Sequence, residues 1–529
     1  MLKLAWTRSP ERWLKSWPDA PFCDIGQAEK MTNYQITGAQ IIPLDDGAEI
    51  LEGFDLWLRD GRIEALTRSG GPPPLAERYE VCAFRNAVAI PGLINAHSHS
   101  ASSLQRGRIS GAPLDIFIMD AMARRSKITS EQVRIAAQLH ALEMLKHGIT
   151  GVVDHLRNGA IPSVEGMNAA MSAYRDIGIR AVVAPMFEDL RYIDSVPIDQ
   201  ARLPQAVRER WLGMKPPAAE DYFAMMREVI ADARRYPLVD ITLGVDGPQR
   251  CSRRLLELAG EFAAEVDCGL HTHLLEAKTQ AVLAPGRYGG SFVAHLAEFG
   301  LVGPKATFAH FVWCTGRDIE LAAELGANVV HNPVSNLVLG SGLQPTVRLR
   351  AAGVNVALGT DGGSSNAVSI LEQAKMSMLL SRIGEIDCDR WITAPQALQM
   401  ACAGGARVMA RGGETGVIRV GARADIAIVD LDNPNHMPLS NIWNHLVMYE
   451  NGLAAHTVFV NGERVIAAGR STRVDEAEIY QKASTLAARD DAANESFLAV
   501  ARAERSAFQP LITEVLRQPL DIERFAATR

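Results

Sequence analysis

The stretch PGLINAHSHSASSLQRG, residues 91–107, closes a short apolar run with two histidines one residue apart, His97 and His99. Side chains alternate along a β-strand, so both imidazoles would leave the same face of a strand that ends here. Two imidazoles on one face indicate a metal site. The stretch therefore predicts a strand with metal ligands near its carboxyl end.

The length and composition of the chain limit what kind of protein it is. With 529 residues it exceeds one ordinary core, which predicts a large domain with a smaller companion. A hydrophobic share of 47% and a charged share of 22% are typical of a soluble globular protein. The net charge of −7 argues against a nucleic-acid or membrane partner, so a small-molecule substrate is expected.

The cysteines and the first residues indicate the compartment. Seven cysteines, an odd number without a CxxC pair, predict free thiols in a reducing environment. Residues 1–30 contain charges throughout and no continuous apolar core, unlike a signal peptide or a membrane span. We interpret them as an N-terminal extension and expect a cytoplasmic protein.

Eight short apolar runs are each followed by a loop and by a segment in which Leu and Ala recur at helical spacing. Eight such units predict a (β/α)8 barrel, because apolar parallel strands need cover on both faces and right-handed crossovers supply it. We assign the barrel to residues 91–410. The runs are GLINAHSH (92–99), GITGVVDH (148–155), IRAVVAPMF (179–187), VDITLGVDG (239–247), CGLHTHLLE (268–276), ATFAHFVW (306–313), ANVVHNPVS (327–335) and VNVALGTDG (354–362).

Both ends of the barrel segment are flanked by strand-like sequence with tight turns. Asp60-Gly61 and Asn461-Gly462 are hairpin signals between apolar residues. We predict that residues 31–90 and 411–474 build one small composite β-sandwich; two unrelated hairpins are the alternative. Residues 475–529 have helical spacing and are expected to pack outside the barrel or on a partner subunit.

Metal-competent side chains fall at the ends of four predicted strands. His97 and His99 close the first, His273 and His310 stand late in the fifth and sixth, and Asp361 ends the eighth. In a (β/α)8 barrel these ends face the catalytic mouth. A single histidine is more often a satisfied core residue. Three imidazoles with a carboxylate, however, suit zinc or a similar divalent ion that keeps one position for water.

Five ordered motifs, PGLINAHSH, HTHLLE, FAH, HNPVSN and ALGTDG, resemble the amidohydrolase superfamily. The similarity is to its branch of cytosine-deaminase-like, S-adenosylhomocysteine-deaminase-like and triazine-hydrolase-like enzymes, and it runs from about residue 34 to residue 469. It implies a barrel with a composite β-sandwich and a metal-dependent hydrolytic reaction. Most relatives are dimers or larger, which implies a homo-oligomer.

The resemblance implies that His97, His99, His273 and Asp361 hold the metal. His271 is a rival, since it stands two residues before His273 and shares its inward face. In the family the ligand precedes a glutamate by three residues, and this spacing selects His273. Members of the superfamily with two metal ions bridge them through a lysine or glutamate of a middle strand. Here the third strand has no lysine, and Glu188 stands where that strand ends. One divalent metal ion per chain is therefore expected, zinc or else iron or manganese.

The resemblance also implies catalytic roles. Glu276 matches the acid that delivers a proton to the substrate nitrogen, although a surface glutamate at a strand end is the alternative. His310 matches a histidine that either contacts the metal or hydrogen-bonds the attacked group. Asp361 would take the proton of a metal-activated water. These three form the predicted catalytic set.

Substrate contacts are less specified by the sequence. In adenosine-type deaminases of this branch a glutamate grips the ribose, and here Arg124, Arg125 and Ser126 occupy that place, which disfavours a nucleoside. Trp313 could stack on a planar ring or pack between barrel and helix. The candidates for substrate contact are Gln105, Gln249, Trp313 and Asn336.

Three functions remain open from the sequence alone. The first is a hydrolytic deaminase or aminohydrolase of a nitrogen-rich ring. The second uses the same machinery on an amide, urea or carbamate, or on a ring halide or thioether. The third is a non-catalytic scaffold, which the retention of all four metal ligands, Glu276 and His310 disfavours.

Overall fold

The computed structural model describes residues 32–525, except 46–48, 76, 109–110, 125–127, 160–161, 451 and 453–454. The predicted N-terminal extension thus lies outside the described residues. None of the helices in the described part is long and apolar enough to cross a membrane. The six cysteines described there are all free thiols.

The strands of the described chain are numbered in chain order. They are β1 Tyr34–Ile41, β2 Phe54–Arg59, β3 Arg62–Arg68, β4 Glu80–Pro91, β5 Leu93–His99, β6 Ile149–Leu156, β7 Arg180–Phe187, β8 Val239–Ile241, β9 Gly244–Val245, β10 Leu270–Leu274, β11 Ala306–His310, β12 Asn328–His331, β13 Asn355–Leu358, β14 Asp361–Gly362, β15 Ile426–Asp430, β16 Ala455–Val460, β17 Glu463–Ala467 and β18 Arg470–Ser471.

The helices cover the strands and the ends of the barrel. They are α1 Leu114–Arg124, α2 Ser130–Lys146, α3 Val164–Ile177, α4 Gln205–Leu212, α5 Ala219–Ala233, α6 Arg253–Val266, α7 Lys278–Tyr288, α8 Phe292–Ala297, α9 Gly316–Glu324, α10 Pro333–Val338, α11 Thr346–Ala351, α12 Ile370–Gly384, α13 Ala394–Gln399, α14 Gly405–Val408, α15 Ile442–Asn444 and α16 Glu476–Arg517.

Each of the eight predicted apolar runs contains a parallel strand, and the predicted (β/α)8 barrel is confirmed. One sheet has the order β14-β5-β6-β7-β8, with β9 also paired to β7, and a second has the order β10-β11-β12-β13. A bridge between Leu243 and Leu270 joins the two sheets. At the other junction β14 follows β13 in the chain and pairs with β5, which sets Asp361 opposite Ser98.

The covering helices follow the expected amphipathic pattern, as α6 illustrates. Ser252 caps its N-terminus, because the Ser252 hydroxyl accepts a hydrogen bond from the Leu255 amide at 3.0 Å. The helix buries Leu255, Leu256, Ala259 and Phe262, which recur on one face. This face packs on the barrel, while the arginines and glutamates of the helix remain outside.

The two ends of the chain build one shared sheet, where we predicted a composite β-sandwich rather than two unrelated hairpins. Its order is β18-β17-β16-β15-β4-β1-β2-β3, with β4 pairing parallel to β1 and antiparallel to β15. Both predicted turns are present: φ is 49° and 76° at Asp60-Gly61 and 50° and 77° at Asn461-Gly462. Such left-handed pairs are what a two-residue hairpin loop requires. The domain boundaries at residues 90 and 410 stay predictions.

The last helix, α16, is 42 residues long and packs against α1 and α2. Leu511, Ile512 and Phe508 of α16 share an apolar cluster with Trp211. The helix thereby brings its side chains near the loops that follow the barrel strands.

Candidate active site

The predicted ligands meet at the carboxyl ends of the barrel strands. His99 Nε2 lies 3.1 Å from His273 Nε2 and 3.0 Å from Asp361 Oδ1, and His97 Nε2 lies 3.4 Å from the same oxygen. Atoms that each lie about 2.0–2.2 Å from a zinc ion are about 3.0–3.6 Å from one another. The separations therefore fit a divalent ion between these four side chains.

The second nitrogens of the rings support the same conclusion. The Nδ1 atom of His99 donates to the His155 carbonyl oxygen at 2.7 Å, and that of His273 donates to the Asp246 carbonyl at 2.8 Å. His97 Nδ1 shares a hydrogen bond of 2.7 Å with His271 Nε2, while His97 Nε2 is buried without any hydrogen-bond partner. The outer contacts thus orient the rings and leave the Nε2 atoms for a metal.

His155 is a site residue that our sequence reasoning missed. Its Nε2 donates to the Gly244 carbonyl at 3.0 Å, and its Nδ1 is buried without a partner. The signal was present, because GVVDH ends the second strand with a histidine just as HSH ends the first. Two overlapping groups of described side chains have donor atoms within 4.8 Å of one another: His97, His99, His155 and His273, and His97, His273, His310 and Asp361.

The electrostatics favour the metal-binding forms of two of the ligands, His97 and Asp361. Burial holds the pKa of His97 well below its usual range, so the ring is neutral. Burial would raise the pKa of Asp361, but the adjacent imidazoles of His97 and His99 outweigh it and lower that pKa well below the usual range. Ser335 donates to Asp361 Oδ2 at 2.5 Å, which leaves Oδ1 directed at the imidazoles.

Glu276 and His310 lie beside this centre. Glu276 is buried, and burial together with the negative charge of Asp361 raises its pKa well above the ordinary value. Its Oε2 lies 3.7 Å from His310 Nε2. Burial lowers the pKa of His310 to about 4, and its Nδ1 donates to Asn336 Oδ1 at 2.8 Å. The pair consists of a protonated carboxyl group and a neutral imidazole whose Nε2 carries a lone pair.

Several residues at these strand ends have left-handed backbone conformations, among them Leu275, His310 and Asp361. The φ angles are 53° at Leu275, 71° at His310 and 61° at Asp361. Such a conformation is unfavourable for residues with a side chain, by about 1–3 kcal/mol each. Packing around the strand ends compensates for this strain and fixes where the two functional side chains point.

A buried charge cluster supports His273 from behind, and the sequence analysis missed it too. Asp246 Oδ1 lies 3.2 Å from His273 Nδ1, and Asp246 Oδ2 accepts from Arg250 Nη1 at 2.6 Å. Arg157 Nη2 lies 3.7 Å from Asp246, and Arg157 also makes two hydrogen bonds, of 3.1 and 2.7 Å, to Glu188. Glu188 therefore pairs with an arginine.

Removal of the Asp246 charge should weaken metal binding. In Asp246→Asn the backbone contact to His273 remains, but the carboxylate that polarises the ring is lost, so we expect about 10–100-fold lower metal affinity. Competition with a chelator measures this, with thermal unfolding to verify the fold. Asp240→Asn is the control, because Asp240 pairs with Arg411 on the half-exposed surface. Equal affinities in both variants would contradict the role.

A cavity of about 150 Å³ adjoins the centre, and two of the four predicted substrate residues line it. Gln105 and Gln249 stand in its wall, together with Glu276, Arg157 and Arg250. Ser102, in the segment that follows His97 and His99, also lines the cavity.

The structure does not bring the other two predicted contact residues to the cavity wall. Trp313 is completely buried, donates to the Ser341 carbonyl at 2.6 Å and packs on Phe525. Asn336 instead orients His310. Residues 125–127, and the side chain of Arg124, lie outside the described part of the chain, so the expectation of a non-nucleoside substrate stays a prediction.

Comparisons with known proteins show which family this chain is related to. The model of the amidohydrolase family matches residues 88–465. A 5-methylthioadenosine/S-adenosylhomocysteine deaminase of Desulforudis audaxviator is 31% identical over 441 residues, which cover 82% of this chain and 94% of the relative. A 5'-deoxyadenosine deaminase of Methanosarcina mazei is 29% identical and covers 86% of this chain and 98% of the relative.

Solved structures show the same similarity. An adenosine deaminase of Xanthomonas campestris with bound zinc superposes with a TM-score of 0.76 at 25% identity, over 88% of this chain and 99% of the other. A mutant of the atrazine chlorohydrolase TrzN of Arthrobacter aurescens, complexed with zinc and atraton, has a TM-score of 0.75 at 25% identity. That match covers 86% of this chain and all of the other.

Proposed function

Since the chain belongs to the amidohydrolase family, whose metal-dependent hydrolases act on carbon–nitrogen bonds, we propose that it is a hydrolytic deaminase of a nitrogen-rich heterocycle. The observation that carries the proposal is the pairing of a buried, protonated Glu276 with a cluster of Nε2 atoms and an ionised Asp361. One group can give a proton to nitrogen while the other takes one from water. The names of the deaminase relatives support the same reaction.

We propose one zinc ion per chain, held by His97, His99, His273 and Asp361. Zinc in the related adenosine deaminase and chlorohydrolase structures supports this choice over iron or manganese. When bound, such an ion acts as a Lewis acid and lowers the pKa of a water molecule towards 7. The carboxylate of Asp361 would accept a proton from the attacking water.

The other two residues act on the substrate side. Glu276 Oε2 would donate its proton to the ring nitrogen or to the departing amine. The bond from His310 Nδ1 to Asn336 leaves a lone pair at Nε2, which suits metal contact better than donation to a developing negative charge. This tautomer of His310 therefore favours contact with the metal over a hydrogen bond to the attacked group.

Ammonia release tests the proposal. The zinc-loaded protein is assayed against purines, pyrimidines, pterins, triazines and 5'-deoxyadenosine, with product analysis for amines and halide. We expect ammonia from at least one free ring and less from the nucleoside, because the ribose-binding glutamate is replaced. An organic amine or chloride without ammonia would overturn the deaminase proposal.

A triazine-hydrolase-like reaction is the second candidate. The similarity to a chlorohydrolase complexed with zinc and atraton favours it. The machinery would be unchanged, and only the leaving group, an organic amine, halide or thiolate, would differ. The product analysis above separates the two reactions.

We further propose that the protein works in the cytoplasm as a homo-oligomer, without a nucleic-acid or membrane partner. The six free cysteines of the described chain support a reducing compartment. Ile383 and Ile386 near the end of α12 are 65% and 99% exposed, and such apolar exposure supports a subunit interface.

A further inference from the structure

A second, larger cavity lies behind one wall of the catalytic cavity. Its volume is about 590 Å³, against about 150 Å³ for the first. Arg157 and Arg250 line both cavities, so these two residues lie at the partition between them. A ligand that extends from the metal centre past this partition would enter the second cavity.

The second cavity combines an apolar lining with basic groups. Trp211 and Met214 form part of the apolar lining, and Val500 and Ala501 of α16 complete it. The family model ends at residue 465, so α16 adds this wall outside the matched region. The charged side chains of the lining are Arg157, Glu188, Arg191, Arg210, Lys215 and Arg250.

The cationic side chains that line this cavity differ in whether they have an ionic partner. Arg210 pairs with Glu504 and Arg191 with Asp194, whereas Lys215 has no ionic partner among the described residues. The guanidinium groups of Arg157 and Arg250 are already held by Asp246 and Glu188. Within the described part of the chain, Lys215 is thus the cation of this lining that is left for an anionic ligand to pair with.

We propose that the second cavity binds the acidic end of the substrate, so that the substrate is a nitrogen-rich ring joined through an apolar linker to a carboxylate or phosphate. The inference rests on the proposed function for the ring. The arginine partition, the basic rim and the apolar wall of α16 together select an organic anion over a neutral side chain.

Binding can be measured without turnover. Calorimetric titration of the zinc-loaded protein with phenylbutyrate, its uncharged amide and phenylpropyl phosphate compares three probes of similar length. We expect one or both anions to bind at least about tenfold more tightly than the amide, because charged hydrogen-bond partners are lost in the amide. The tighter of the two anions identifies carboxylate or phosphate.

Two substitutions locate the site. Val500→Trp should fill part of the cavity and weaken the tighter anion by about tenfold or more. Lys215→Glu should weaken it by about two- to fivefold and leave the amide unchanged. The matched controls are Ala499→Trp, at an exposed neighbouring position, and Lys482→Glu, which makes the same change in charge elsewhere on α16. Thermal unfolding confirms that each variant is folded.

The substrate side is tested by kcat/KM. For a ring that the enzyme deaminates, kcat/KM is measured for the ring alone, for its derivative with a carboxyalkyl side chain and for the corresponding amide. We expect the acid to exceed the amide by about tenfold, with the ratio approaching one in Val500→Trp. Equal binding of anion and amide, or equal losses in variants and controls, overturns the inference. Tight anion binding without ammonia from any ring overturns the proposed function instead.

Discussion

Replacing Glu276 with glutamine is expected to lower turnover by about 10²–10⁴-fold while the protein keeps its full complement of metal. Glutamine has the same size and fills the same buried space, but its amide has no acidic proton to deliver. The reason lies in the geometry: Glu276 is protonated by virtue of its burial and of the neighbouring Asp361 charge, and its Oε2 faces the His310 ring at 3.7 Å.

The measurement pairs ammonia release with elemental analysis of the purified variant. Glu298→Gln, at an exposed position, makes the same chemical change away from the site and should behave as the parent does. Full activity in Glu276→Gln would refute the role of proton donor. Loss of metal together with activity would instead indicate that Glu276 helps to hold the ion.

Removal of one imidazole from the centre should have the second large effect. In His99→Asn we expect bound metal to fall from about one per chain to near zero, and activity to fall with it. His99 Nε2 lies within 3.1 Å of both His273 Nε2 and Asp361 Oδ1, so its loss opens the middle of the ligand set. The effect should exceed the about 10–100-fold typical of changes outside the ligand set.

A thermal readout separates metal loss from misfolding. Zinc at about one hundred times its dissociation constant should stabilise the parent by about 2.7 kcal/mol and raise its melting temperature. His99→Asn should fold but show no such zinc-dependent shift. His456→Asn, at an exposed histidine, is the control. A zinc-dependent shift of parental size in His99→Asn would remove His99 from the ligand set.

The fold and the centre of the site were readable from the sequence because periodicity and strand-end position carry them. The eight apolar runs predicted the barrel, and the polar residues at strand ends predicted a metal centre there. The resemblance to the amidohydrolase superfamily selected His97, His99, His273 and Asp361 as ligands, with His273 chosen over His271. The register of β14 on β5 sets Asp361 opposite Ser98, between the two histidines. The strand-end position of each residue is visible in its local sequence, whereas this register is visible only in the structure.

The remaining site residues depend on contacts between segments far apart in the chain. Arg157 and Arg250 look like surface charges until the fold buries them against Asp246. The left-handed φ of His310 could not be predicted from the residue types around it. The sequence left Trp313 open between stacking on a substrate ring and packing, and only the folded structure places its ring against Phe525.

The sheet shared by both ends of the chain constrains how the protein is made. Strand β4 emerges from the ribosome early, yet its partner β15 follows only after the whole barrel segment has been synthesised. At usual rates of translation this delay is on the order of tens of seconds. During that time the β4 edge has unpaired backbone groups, which is a hazard for aggregation. The yield of folded protein should therefore depend strongly on chaperones or on a low growth temperature, whatever the stability of the finished fold.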